Sequence, residues 1–107
     1  MAKAMNFKNN KKSFWSVTLA DGTVLLLSTP TKAVFDALTE LKNDMSDGDG
    51  GDMLNRLYSA CATILSRNKT GEVITEEYVA ENLDIEDIIT LFTGYMEFVN
   101  EIKASKN

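Results

Sequence analysis

The sequence predicts an α+β domain in which a β-hairpin is followed by two medium helices, one short helix and one long C-terminal helix. Two runs rich in β-branched, aromatic and aliphatic residues flank Asp21-Gly22, which is typical of a hairpin. From residue 32 onward, apolar residues recur at steps of three and four, which is typical of helices. Because the helices all follow the hairpin, the order indicates an α+β layout. At 107 residues the chain predicts one domain over 13–107, preceded by a flexible basic arm over 1–12.

The hairpin is predicted from residues 13–20 and 23–28, joined by Asp21-Gly22 as a two-residue type I′ turn. That turn would pair Leu19 with Val24, Val17 with Leu26, and Trp15 with Ser28. The face that we expect to be buried then carries these residues: Trp15, Val17, Leu19, Val24 and Leu26. Leu25 and Leu27 would lie on the other face, so apolar residues on both faces predict a second layer or a partner.

The two medium helices are predicted from their caps and their apolar stripes. Thr29 would cap the first, with Pro30 at its first helical position. Its stripe runs to about residue 44 and comprises Val34, Phe35, Leu38, Leu41 and Met45. The second would span 53–67, with a stripe of Leu54, Leu57, Tyr58, Cys61, Ile64 and Leu65. Residues 68–71 would end it, with Gly71 in a left-handed conformation.

An acidic, glycine-rich loop over 46–52 separates the two medium helices. It faintly resembles a calcium-binding loop, but counting from Asp47 puts Asp52 where the EF-hand needs glycine and Tyr58 where it needs glutamate. We therefore interpret this segment as a solvated linker. Further along, residues 72–74 are expected to be extended, and Thr75 is expected to cap the short helix.

The long helix is predicted over residues 83–105, with Asp84 as its cap. One stripe of this helix carries Ile85, Ile88, Phe92, Tyr95, Val99 and Ile102. Ile89, Met96, Leu91 and Phe98 widen the stripe on its two sides. Gly94, in the middle, predicts a bend or a close contact. We expect this helix either to organise the core or to provide a docking surface.

The composition disfavours several classes of function. The chain has no histidine and one cysteine, which removes the usual general base and leaves no thiol–imidazole pair, so we expect a non-enzyme with no cofactor and no metal. Residues 36–101 carry fifteen acidic and four basic residues, which disfavours nucleic acid and anionic membrane as partners. The absence of a long apolar run and of a signal sequence predicts a cytoplasmic protein.

Several segments between about Trp15 and Asn107 form a familiar combination. They are the hairpin with Asp21-Gly22 and these stretches: 30–35, 57–58, 64–71, 74–75, 83–87, 95–98 and 106–107. In these segments the chain resembles the small tail assembly chaperones of long-tailed (siphovirus-type) bacteriophages and prophages of Gram-positive bacteria.

The resemblance implies a non-catalytic helper that coats the tape measure protein, a long, apolar and helical chain, while the tail tube assembles around it. It implies work in the host cytoplasm and absence from the mature virion. A −1 ribosomal frameshift would give a longer form that recruits the tail tube protein. Codons TCA-AAA-AAC for residues 105–107 would contain the slippery heptamer A-AAA-AAC.

A binding surface for an apolar helical client needs adaptable, exposed apolar side chains. The long helix predicts such a surface from these residues: Phe92, Tyr95, Met96, Phe98, Val99 and Ile102. Packing of the same side chains into the core, or self-association through the same helix, are the alternatives. Two other functions stay open, namely a structural head–tail connector or tail-completion subunit, and a small nucleic-acid-binding regulator that uses the lysine-rich arm.

Overall fold

The computed structural model describes residues 12–46 and 52–105 and shows the predicted α+β fold. A two-stranded antiparallel sheet, β1 (Phe14–Thr18) and β2 (Val24–Ser28), precedes four helices. The helices are α1 (Lys32–Ser46), α2 (Met53–Leu65), α3 (Glu76–Asn82) and α4 (Ile85–Ser105). Most of the basic arm and of the acidic loop lie outside the described residues, as do residues 106–107.

The hairpin loop has three residues, so the predicted two-residue type I′ turn is wrong. The Leu19 carbonyl accepts from the Gly22 N–H at 2.9 Å, and the Leu19 N–H donates to the Thr23 carbonyl at 2.7 Å. Gly22 has a φ of 92°, whereas no residue other than glycine has a positive φ in the described ranges. A type I′ turn needs positive φ at Asp21 as well, and Asp21 instead accepts a hydrogen bond from the Thr23 N–H at 2.9 Å.

The extra loop residue shifts the register by one and exchanges the faces of β2. Trp15 now pairs with Leu27, and Val17 pairs with Leu25. Leu25 and Leu27 are therefore buried, whereas Val24 and Leu26 are 57% and 38% exposed, the reverse of the prediction. A strand alternates its side chains between two faces, so a shift of one residue exchanges them all.

The helix caps follow the prediction closely at α3 and α4 and less closely at α1. Thr75 accepts from the Tyr78 N–H at 3.1 Å. Asp84 accepts from the Asp87 N–H at 2.8 Å, and the Asp87 carboxylate accepts from the Asp84 N–H at 3.1 Å, which is a reciprocal capping box. At α1 the Thr31 hydroxyl accepts a hydrogen bond from a backbone N–H of the first turn. Thr31 lies two residues after the predicted cap, so Pro30 precedes the helix.

The core is formed mainly by α2 and α4, and α2 is the element that contacts most of the others. α2 contacts α1, α3, α4 and β2, and its Leu57, Cys61, Ile64 and Leu65 are all buried. Leu54, which the sequence assigned to the same stripe, is 45% exposed. α2 also ends at Leu65, two residues earlier than predicted, and Gly71 has the expected left-handed φ, at 79°.

Gly94 makes the close contact that its position in the middle of the helix predicted, and its partner is Trp15. A Cβ atom on Gly94 would lie 2.8 Å from two ring atoms of Trp15, Cζ2 and Cη2. The Trp15 ring also lies 6.3 Å from the ring of Phe98 in a stacked arrangement and 6.2 Å from that of Tyr95. The indole ring of Trp15 therefore packs the hairpin against α4 at a position where the helix has no side chain.

We expect Gly94→Ala to destabilise the protein by about 1 kcal/mol, and by no more than about 2 kcal/mol. Alanine gains up to about 1 kcal/mol of helix propensity, but displacing a packed ring costs about 1–3 kcal/mol. In a Trp15→Leu background the clash is absent, so the same substitution should stabilise. Urea unfolding of the four proteins of this cycle measures both effects, and equal effects in the two backgrounds would contradict the contact.

Candidate partner-binding surface

Most of the predicted partner-binding residues of α4 belong to the core. Phe92, Tyr95, Met96 and Val99 are buried, and Phe98 and Ile102 are half-buried. The expectation that these six residues present an exposed apolar surface is therefore wrong for the four buried ones. Whether any of the six contacts a partner stays a prediction.

The physical reason for this burial is that the hairpin and α1 cover the C-terminal half of α4. The Tyr95 hydroxyl donates to the Ser28 carbonyl at 2.7 Å, and its ring lies 6.1 Å from that of Phe98. Near the end of α4, the Lys103 ammonium lies 4.8 Å from the centroid of the Phe35 ring in α1. The first turns of α4 are less covered, because Ile85 and Ile89 are 50% and 43% exposed.

Apolar surfaces also occur away from the predicted one, and two of them involve the hairpin and the first two helices. The outer face of the hairpin carries Phe14, Val24 and Leu26, and the Lys69 ammonium lies 5.3 Å from the Phe14 ring centroid. The second surface is an open groove of about 480 Å³ between α1 and α2. The register places Val24 and Leu26 on this face instead of the expected Leu25 and Leu27, and its cover by a partner stays a prediction.

The groove between α1 and α2 is lined mainly by small and apolar side chains. Ala33 and Ala37 project from α1 and Ala60 projects from α2, while Val34, Leu38 and Leu41 are also in its lining. Ala33 and Ala37 are exposed, whereas Leu38 and Leu41 are buried. Small side chains on both helices let a third backbone approach closely, as in packed helix pairs. We name this feature the α1–α2 groove.

Charged side chains stand at the border of the α1–α2 groove. Arg56 of α2 forms a salt bridge of 2.9 Å with Asp44 of α1, and both side chains are partly exposed. Glu40 is the other charged residue of the lining. The apolar centre with a charged border resembles the general anatomy of protein–protein interfaces.

Sequence reasoning missed the α1–α2 groove because it weighed large side chains rather than small ones. The pattern was present, since Ala33 and Ala37 are four residues apart in α1, and Ser59 and Thr63 are four apart in α2. Residues with this spacing share one helix face. A search for small residues at helical spacing would have indicated the surface.

The structure describes the surroundings of Cys61 and of the carboxylate side chains. No group of three or more cysteine and carboxylate side chains within 12–46 and 52–105 could hold a metal ion. Burial raises the pKa of the Cys61 thiol to about 12, and the thiol lies 3.4 Å from the Ile88 carbonyl as a donor. Over the same residues, the helices are too short or too polar to cross a membrane.

Met96→Asp should destabilise the fold by about 3 kcal/mol or more, because it places a carboxylate in the core without a partner. Met96 is 5% exposed. Ile89→Asp, on the same helix but at an exposed position, is the matched control and should change stability by less than about 1 kcal/mol. Thermal and urea unfolding would distinguish them. Equal, small effects would show that Met96 is accessible, as the sequence prediction had it.

Stability should fall as the pH rises above 9. Burial raises the pKa of Cys61 from 9.0 to about 12, and burial also raises the pKa of Tyr95 from 10.0 to about 12, against a smaller opposing effect of Arg67. The unfolded chain therefore releases these protons first, so the contribution is complete below pH 9 and is lost between the unfolded and folded values. Urea unfolding from pH 7 to pH 11 should show a shallower decline for Cys61→Ala and for Tyr95→Phe than for the wild type.

Comparisons of the chain with protein-family models, with curated proteins and with solved structures found no match.

Proposed function

We propose that the chain is a tail assembly chaperone of a siphovirus-type phage or prophage, a non-catalytic protein that binds the tape measure protein and keeps it soluble. The observation that carries the proposal is the α1–α2 groove, an open apolar surface between two helices with alanines on both sides. A long apolar helix is the kind of client that such a groove accommodates. The segments that resemble this family, from Trp15 onward, support the same role.

The surface chemistry of the chain also fits a helper for an aggregation-prone client. The net charge is −5, and acidic residues favour solubility more than basic ones do. A client helix that buries its apolar face in the groove would leave this acidic surface exposed to solvent. In this proposal the protein acts in the host cytoplasm and is absent from the mature virion.

Two further partners belong to the proposal. A frameshifted longer form would recruit the tail tube protein. The codons for residues 105–107 would show whether the slippery heptamer that such a frameshift needs is present. Copies of the chain would associate while no client is present, because an exposed apolar groove is costly to leave in water. The proposed function includes no nucleic acid, membrane, metal or cofactor.

Ala37→Arg tests the groove. Ala37 is exposed and lines the groove, so arginine should leave the fold intact while filling the space that a client backbone needs. In co-expression with an apolar helical fragment of the tape measure protein, we expect this variant to lose about tenfold or more of the soluble client. The measurement is the soluble fraction of the fragment by gel electrophoresis.

Ala80→Arg is the matched control, because Ala80 is an exposed helical alanine that lies outside the groove. It should keep the client as soluble as the wild type does. A wild type that fails to solubilise the fragment would contradict the function, whereas an active Ala37→Arg variant would contradict only the groove. Detection of the chain in purified virions by mass spectrometry would favour a structural subunit instead.

A further inference from the structure

β1 has one backbone edge that no described residue pairs with. The Leu19 N–H donates to the Thr23 carbonyl, and the Leu19 carbonyl accepts from the loop. Counting back in steps of two, the residues whose backbone groups point toward β2 are Leu19, Val17 and Trp15. In an antiparallel ladder these positions alternate with ones whose N–H and C=O point the other way. The backbone groups of Phe14, Ser16 and Thr18 therefore point away from β2. No hydrogen bond to these groups occurs within residues 12–46 and 52–105.

The opposite edge of the sheet is closed. The Ser28 N–H donates to the Arg67 carbonyl at 2.9 Å, and the Lys69 N–H donates to the Leu26 carbonyl at 2.8 Å. Leu26 and Ser28 lie opposite Ser16 and Phe14 in the register, so their outward direction agrees with the alternation derived for β1. In the described part of the chain, the hairpin therefore has one covered edge and one open edge.

A groove of about 410 Å³ runs beside the open edge, between β1 and α4. Its lining includes consecutive residues of the hairpin from Trp15 to Ala20, with side chains on both faces of the strand. A groove that touches both faces borders the backbone edge itself. The opposite wall is formed by Thr90 and Leu91 of α4, and Leu65 and Leu83 also line the groove.

Two properties of this β1–α4 groove indicate what it would hold. β1 carries no proline, no lysine and no bulge, which are the usual devices that keep another strand from pairing with an exposed edge. Asp87 is the single charged residue of the lining, and it is an acid. The groove therefore combines backbone donors and acceptors, an apolar wall and one negative charge.

We propose that the β1–α4 groove binds an extended segment of a partner protein, which adds to β1 as a third strand. The segment would carry small apolar side chains at alternate positions, facing Leu83 and Leu91, and a basic side chain facing Asp87. Backbone hydrogen bonds to Phe14, Ser16 and Thr18 would supply affinity, and the side chains would supply selectivity. The proposal does not depend on the client of the α1–α2 groove, since an extended strand and a helix are different ligands.

The test uses the full chain, labelled with ¹⁵N, and the acetylated and amidated peptide Lys-Thr-Val-Thr-Val-Thr-Val. The control peptide has the same side chains with alternate backbone nitrogens methylated. With the first peptide, hydrogen exchange at the amides of Phe14, Ser16 and Thr18 should slow by about tenfold, as expected for one new hydrogen bond each. The methylated peptide should leave these rates unchanged.

Thr90→Arg and Thr93→Arg form the matched pair of variants. Both threonines are exposed on α4, but Thr90 lines the β1–α4 groove, whereas Thr93 lines a separate groove beside Lys42 and Met45. Arginine at position 90 fills the groove and repels the lysine of the peptide, so Kd should rise by about tenfold or more. Arginine at position 93 should leave Kd unchanged.

Three results would overturn the proposal. The first is exchange that slows at other amides or at none, and the second is equal binding by the two arginine variants. The third is protection of the Phe14, Ser16 and Thr18 amides that grows with protein concentration in the absence of peptide. That result would identify a second copy of the chain as the occupant.

Discussion

The side-chain amide of Asn68 holds the end of α2 against the segment that leads into α3. Its Nδ2 donates to the carbonyls of Leu65 and Glu72, at 2.8 and 2.7 Å. Its Oδ1 accepts from the Thr70 hydroxyl and from the Glu72 N–H, both at 2.8 Å. Asn68 is buried, and each polar group left without a partner there would cost about 1–3 kcal/mol. These four hydrogen bonds therefore stabilise the turn that leads from the end of α2 through Gly71 to Glu72.

Residues 67–69, which directly follow α2, attach the hairpin to the helices by main-chain hydrogen bonds. Arg67 and Lys69 pair with β2, and the Arg67 guanidinium donates to the Thr29 carbonyl at 2.6 Å. The Tyr95 hydroxyl reaches the neighbouring Ser28 carbonyl from α4. Because this turn occupies the outer edge of β2, it decides which edge of the sheet stays open. The geometry of the β1–α4 groove is thus a consequence of where α2 ends.

The features that could be predicted from the sequence are those that depend on neighbouring residues. Thr75 and Asp84 cap their helices through bonds to residues three positions away, and such contacts are visible as sequence patterns. The hairpin register was wrong because it depends on the conformation of one loop residue, Asp21, which either turn type tolerates. The alternation of both strands and the buried face of β1 were predicted correctly, whereas the predicted buried face of β2 was wrong.

The burial of α4 could not be predicted, because both halves of the helix carry large apolar residues at the same spacing. Side chains of both halves are buried, and the cover of the C-terminal half comes from distant contacts. Trp15 of the hairpin lies against Gly94, and the Phe35 ring of α1 lies against the Lys103 ammonium. Gly94 did mark this position, since a glycine inside a helix needs a local reason. Its partner, Trp15, is 79 residues away in the sequence and could be identified only in the fold.

The two grooves differ in the kind of ligand that their walls can satisfy. The α1–α2 groove is built from helices whose backbone groups are already paired, so it offers a ligand only side-chain contacts, and a helix needs nothing more. The β1–α4 groove offers unpaired backbone groups, which only an extended segment can pair with along their length. The two linings share no residue, so filling one groove does not remove a wall of the other. A helical client and an extended partner segment could therefore be held on one copy of the chain at the same time.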